Sequence, residues 1–430
     1  MKLKFKLIIS AVLLISVLTL SSCGLVNMGS SVNSEKYLTE DDVNKLMSGI
    51  NQNVTVNGGD SYDITIESQH SETVHAASKA LLSAVSIKSE FEITKTQYPI
   101  FGLPGNTYQD VQTGYGSGVI YSLDKNAGNA YIITNYHVVY YPGCDTENDI
   151  SDNITVYLYG QEYEKYAIHA EYVGGSMNYD IAVLRVKNSN VLRESNAVAA
   201  TFADSNDVSV LDTAIAIGNA EALGISATVG AVNVESEALS MLGADGATVV
   251  NLRVIRIDAA VNGGNSGGGL FNDRGEIIGI VNAKITHSSI DNIGYAIPSN
   301  VAKYVADNII YYDNQDAKND SVYRMMIGIT VGVESAGTVY DTEEGKLHKY
   351  EKVKVESMTD GGPASGKLMA GDIINKVIVD GVEYDIVRTF NVVDVMLTAR
   401  QNSVVVFEVT RGTENLRIEI DLSGITPAPY

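Results

Sequence analysis

From Thr73 onward the chain is dominated by short apolar runs: "GSGVIYSL", "AYIITN", "NITVYLYG", "DIAVLRV", "DTAIAIGN", "SATVGAVNV", "VIRIDAA" and "EIIGIVNAKI". They are strand-sized, rich in Val and Ile, and separated by Gly and Asn, the residues that tolerate turn backbone. Many such strands in succession predict an all-β sandwich or barrel. Two helices frame them. "TVHAASKALLSAVSI" reads as a short helix running into a strand, and "PSNVAKYVADNIIYY" as a helix with Ser299 as its N-cap beside Pro298.

A chain of 430 residues exceeds what one hydrophobic core organises. The grammar changes along it. Residues 1–22 join three lysines to an apolar run ending in small residues, the layout of a secretory signal. Residues 23–72, rich in Ser, Asn, Gly and acids, read as a flexible tether in which "YDITIES" forms a strand. Residues 73–312 hold the strand-rich domain, and residues 313–321 a polar linker. Residues 322–424 form a smaller domain with strand runs, the word "DGGPASGKLMAGDIINKV" and a helical stretch near Thr389–Ala399.

The formal net charge of −22 repels phosphate backbones, so a nucleic-acid role is disfavoured. The two cysteines, Cys23 and Cys144, occupy such different settings that no disulfide is expected. Cys144 reads as an exposed free thiol in the acidic loop "CDTENDISDN", itself a solvated insertion. That loop lacks the turn glycine and terminal Glu of a calcium loop, and no metal site is expected.

Three pieces of the strand-rich domain carry chemistry. "TNYHVV" sets His137 after an apolar strand, "NYDIAVLRV" sets Asp180 at the head of another, and "VNGGNSGGGLF" surrounds Ser266 with glycines. A serine hydroxyl becomes a useful nucleophile when an imidazole takes its proton and a carboxylate fixes that imidazole's tautomer. Glycines let backbone amides approach an oxyanion without obstruction, which makes Gly264, Asn265 and Ser266 the candidate donors. The other histidines, His70, His75, His169, His287 and His348, lack such contexts and read as surface residues.

The order His, Asp, Ser on a β-rich domain resembles the chymotrypsin-like serine proteases, and the three words resemble their HtrA/Deg branch. "GSGVI", "IGNAEALGISATVGAV", "IDAAVNGGNSGG" and "IGYAIPSN" agree with that branch, over residues 73 to 312. Gly269 departs from it, standing where the family commonly has Ala or Pro. The resemblance implies a double β-barrel endopeptidase without a cofactor, in which His137, Asp180 and Ser266 are catalytic. It also implies that "IIGIVNAK" pairs with extended or unfolded polypeptide substrates, that quality control of secreted proteins is the setting, and that the chain trimerises. Ala260 would form the base of the primary substrate pocket and favour aliphatic residues. Asp258, which matches another family position, is the one acid nearby.

The smaller domain resembles a PDZ module, an α+β fold. "MIGIT" stands where the carboxylate-binding loop belongs, so Ile327, Gly328 and Ile329 would receive the C-termini of peptides. "LSSC" resembles the lipobox of bacterial lipoproteins. By that resemblance Cys23 would be lipidated, and the protein extracytoplasmic and membrane-anchored. The competing reading keeps the same architecture with an idle site, as a peptide-binding, chaperone-like surface lipoprotein.

Overall fold

The computed structural model describes residues 53–57, 63–67, 70–97, 106–285, 293–314 and 321–430, residue 344 excepted. The signal segment and Cys23 lie outside these residues, as do His287 and most of the expected tether and linker. Residues 1–68 and 69–430 form two separate units. In the first, β1 (Asn53–Asn57) pairs antiparallel with β2 (Asp63–Glu67), the strand expected in "YDITIES".

The second unit opens with α1 (His70–Leu81), which leads into β3 (Ala84–Gln97), the helix-to-strand passage read from the sequence. Two closed six-stranded barrels follow. The first is built from β3, β4 (Asn106–Asp124), β5 (Asn129–Thr134), β6 (Asn153–Leu158), β7 (Ile168–Ser176) and β8 (Ile181–Val186). The second contains β9 (Thr213–Gly218), β10 (Ser226–Leu242), β11 (Val249–Ile257), β12 (Gly269–Phe271), β13 (Ile277–Val281) and β14 (Gly294–Pro298). The fold is mainly β and chymotrypsin-like.

The alternation of side chains explains why these apolar runs are almost continuous. On β8, Ala182, Leu184 and Val186 fill the first barrel, while Ile181 and Val183 face a second core shared between the barrels. On β9, Ala214 and Ala216 point into the second barrel, and Ile215 and Ile217 into that same shared core. Both faces of each strand are buried, so neither face can be polar. Each fully buried Ile or Leu contributes about 1.5–3 kcal/mol from burial.

The helix α2 (Tyr136–Val139) follows β5, and α3 (Asn190–Glu194) follows β8. After β14, α4 (Ser299–Asp313) lays Val301, Ala302, Val305, Ala306 and Ile309 on the shared core. Its N-cap is Pro298, not Ser299. Ser299 lies inside the helix and donates its hydroxyl to the Ala203 carbonyl at 2.7 Å, a tertiary partner that the local sequence does not reveal.

The last domain has its own core and a sheet in the order β16 (Ile329–Asp341), β17 (Lys346–Met358), β18 (Ile373–Val379), β20 (Val404–Arg411), β21 (Glu414–Asp421). β19 (Val382–Asp385) pairs with β18, and α5 (Thr389–Val395) packs on the sheet. β15 (Tyr323–Arg324) pairs with the tail strand β22 (Ala428–Pro429). The domain meets the barrels through α5: Asp394 pairs with Arg253 of β11, Phe390 stacks under the Arg253 guanidinium at 3.9 Å, and Asn391 bonds Asn206 at 3.0 Å.

Candidate active site

His137 stands in the first turn after β5, and Asp180 ends the turn that joins β7 to β8. Two hydrogen bonds join them. Nδ1 of the imidazole lies 2.7 Å from Oδ2 of Asp180, and the His137 backbone N–H donates to Oδ1 at 3.0 Å. Asp180 is 6% exposed. Its carboxylate is nonetheless satisfied, because Asn282 donates Nδ2 to Oδ2 at 2.7 Å. Asn135 completes the frame by donating Nδ2 to the Asp180 carbonyl at 2.8 Å. A buried carboxylate bonded in this way fixes one imidazole tautomer, with Nδ1 as donor and Nε2 free to accept.

Ser266 lies in the glycine-rich loop before β12 and is 5% exposed. The glycines around it serve two ends. Gly264 and Gly267 have φ of 93° and 84°, where L side chains are strained. A Cβ on Gly264 would also stand 2.2 Å from the Asn219 carbonyl oxygen, and one on Gly267 would stand 2.2 Å from that of Ser117. The loop is therefore pressed against both barrels. Ser117 of β4 fastens it: its N–H donates to the Ser266 carbonyl at 2.8 Å and its hydroxyl to the Gly264 carbonyl at 2.7 Å. The Gly263 carbonyl is turned toward the Glu221 N–H at 2.8 Å.

The expected amide donors divide. Asn265 N–H donates to the Asn262 carbonyl at 3.0 Å, a turn bond that takes it out of the set. Among the described residues no acceptor is bonded to the N–H of Gly264 or of Ser266. The Ser266 hydroxyl accepts from Ala283 N–H at 3.1 Å, and no hydrogen bond links it to His137 among the described residues.

This loop, the imidazole–carboxylate pair and the two barrels coincide with a family match. Residues 116–280 match the model of the trypsin-like peptidase domain. The "Serine protease Do-like HtrA" of Lactococcus lactis subsp. lactis is 31% identical over 330 residues, 73% of this chain and 74% of that protein. The chain belongs to the HtrA family of serine proteases. The protein of the same name from Bacillus subtilis is 32% identical over 317 residues, 71% of this chain and 63% of its own length. The "Periplasmic pH-dependent serine endoprotease DegQ" of Escherichia coli is 31% identical over 310 residues, 70% of this chain and 59% of its own. The aligned stretch thus spans 59% to 74% of these HtrA-type relatives.

Ser117 and Asn282 are buried residues bonded to the candidate triad and its loop, and the short sequence words do not single them out. Asn282 follows the apolar run "IIGIV" directly, an abrupt buried polar residue at 0% exposure, and that is the signal that could have found it. Ser117 sits in "GSGVI", whose small residues gave no sign of a partner 149 positions away.

Ala260 and Cys144 also differ from expectation. Ala260 is exposed, with its carbonyl accepting from the Thr228 hydroxyl at 2.8 Å, whereas a pocket floor would be enclosed. The neighbouring Ala259 is the buried one, at 2% exposure, in the core of the second barrel. Asp258 spends Oδ1 on the Ala231 N–H at 2.6 Å. Cys144 is buried, not exposed, and its Sγ lies 3.0 Å from the Thr146 hydroxyl. Its loop folds onto the β3–β4 arm because Asp145 accepts from Thr94 N–H at 3.1 Å and Thr94 Oγ1 at 2.7 Å.

In the last domain β16 is an edge strand, and Gly328 before it has φ of 74°. Ile329 is half-buried and Val393 of α5 is exposed. Ile327 is only 4% exposed and belongs to the domain core, so its side chain cannot line a groove. The loop is tied from behind by Thr359 N–H to the Gly328 carbonyl at 2.8 Å and Ala364 N–H to the Ile327 carbonyl at 3.1 Å.

Proposed function

We propose that the chain is an extracytoplasmic serine endopeptidase acting on unfolded or extended polypeptides in protein quality control. The two-point attachment of His137 to Asp180 carries this reading. Ser266 attacks the scissile carbonyl and His137 Nε2 takes its proton. The imidazolium that forms is stabilised by Asp180, and the proton is then delivered to the leaving amine. The tetrahedral oxyanion is received by the N–H groups of Gly264 and Ser266, whose directions are held by the Ser117 and Glu221 contacts before substrate arrives. No cofactor enters these steps.

The relative from Escherichia coli is described as periplasmic, which supports export by a signal segment at residues 1–22, while lipidation of Cys23 is proposed on the likeness of "LSSC" to a lipobox alone. In the same reading the edge of β16 receives the C-terminal stretch of a peptide as an added strand, with loop amides of Ile327, Gly328 and Ile329 toward its carboxylate and Val393 toward its side chain. A homotrimer is part of the proposal on family grounds alone.

One observation favours the idle-site alternative. The Ser266 hydroxyl accepts from Ala283 N–H and is not bonded to His137 in this structure. Catalytic hydrogen bonds are often long before substrate binds, so the arrangement is compatible with a resting enzyme. Hydrolysis of casein by the wild type and its absence in Ser266→Ala, with unchanged circular dichroism, is the expected result. Equal hydrolysis by both proteins would remove Ser266 from the mechanism.

A further inference from the structure

The turn Met177–Asp180 joins β7 to β8 and presents the carboxylate that binds His137. It is a demanding turn. Asp180 adopts φ of 49°, unfavourable for a residue with a side chain, and its N–H reaches the Met177 carbonyl only at 3.3 Å. Such a conformation persists when its surroundings over-determine it. Asn135, His137 and Asn282 hold one side through the carbonyl and carboxylate of Asp180.

The other side is held from an unexpected quarter. After the last strand of the second domain, β22 pairs with β15 and brings Tyr430 back to the protease. The Tyr430 ring packs on Tyr179, the residue before Asp180, with centroids 5.4 Å apart. The Arg324 guanidinium lies over the Tyr430 ring at 3.9 Å. Backbone bonds fix the residue at both ends: its N–H donates to the Val322 carbonyl at 2.9 Å, and its carbonyl accepts from the Ser176 hydroxyl at 3.2 Å. Val322 is fully buried in the core shared by the barrels, so the strap is anchored on a rigid point. Tyr179 itself packs against that core.

We propose that Tyr430 is a positioning residue for catalysis: packed on Tyr179 and Arg324, it holds the Met177–Asp180 turn so that Asp180 meets His137. The inference rests on the endopeptidase reading above. It touches neither substrate nor the reacting atoms and acts through Asp180. Its removal therefore slows the chemical step and leaves substrate binding intact.

The test compares the wild-type 430-residue chain, Tyr430→Ala and Tyr430→Phe. Reactive Ser266 is titrated to completion with a fluorophosphonate, and kcat and KM for a casein-derived peptide are expressed per titrated site. Because small misplacements of catalytic groups are expensive, kcat per site in Tyr430→Ala should fall about tenfold, with KM within about twofold. Tyr430→Phe keeps the ring and should match the wild type. Arg324→Gln, which leaves the tail sequence intact, should show a smaller fall of the same kind. Wild-type kcat per site in Tyr430→Ala would overturn the proposal. A fall accounted for wholly by fewer titratable sites would also overturn it, since that is the mark of a merely structural role. If the wild type itself neither labels nor cleaves, the endopeptidase reading fails, and the proposal fails with it.

Discussion

Asn282 and His137 converge on one atom. Each places a nitrogen 2.7 Å from Oδ2 of Asp180, while the His137 backbone N–H takes Oδ1. The carboxylate is thus held from the second barrel and from the first at once, across the seam on which Ser266 lies. Hydrogen bonds to a charged group contribute about 1.5–3 kcal/mol, so Asn282→Ala should lower kcat by roughly ten- to a hundredfold. Casein hydrolysis at neutral pH measures this. An unchanged rate would show that Asp180 needs no second donor.

A second prediction concerns the contact between the domains. Asp394 and Arg253 are both deeply buried. Burial pushes the Asp394 carboxyl upward and the Arg253 guanidinium downward, each opposed by the partner's charge. Removing one partner leaves the other charge uncompensated, so Arg253→Met should destabilise the folded chain by about 3–5 kcal/mol. The double variant Arg253→Met/Asp394→Leu should recover most of that loss. Urea unfolding of the three proteins measures it, and a double variant as unstable as the single would mean that the pair itself is the stabilising element.

The pH dependence of the last domain follows from Asp372, whose side chain is 1% exposed. Burial raises its pKa, but Arg411 at 2.7 Å on each oxygen and the Met369 N–H at 2.8 Å more than offset this, and the carboxyl lies below its ordinary 3.8. A folded value below the unfolded one means that the group stabilises the fold above about pH 4, and that this is lost as pH falls through the folded pKa. Arg411→Met should therefore lower the urea midpoint at pH 7 and bring the two proteins closer together near pH 3. A gap that widens on acidification would contradict the sign.

The parts of this molecule that a reader of sequence could find are those written locally. His137, Asp180 and Ser266 each sit in a short word at a strand end, and the near-continuous apolar runs announce strands buried on both faces. What escaped depends on barrel closure. Ser117 reaches Ser266, and Asn282 reaches Asp180, only because strands distant in sequence become neighbours. The same holds for Cys144, buried when its acidic loop folds onto the β3–β4 arm, and for Ser299, whose partner Ala203 comes from another segment. Ala260 matches the family's pocket position only by its place a few residues before the nucleophile, and sequence order does not register that the chain turns it outward.

Covalent labelling of the 430-residue chain by a fluorophosphonate tests the central claim most directly, because the reagent reports a serine activated by its base and needs no knowledge of the natural substrate. The wild type should be labelled at Ser266 alone, as located by peptide mass analysis. Labelling should vanish in Ser266→Ala and fall by about a thousandfold or more in rate in His137→Ala, in line with loss of the general base in such triads. A folded wild type that takes up no label, or one labelled as fast without His137 as with it, would contradict the account.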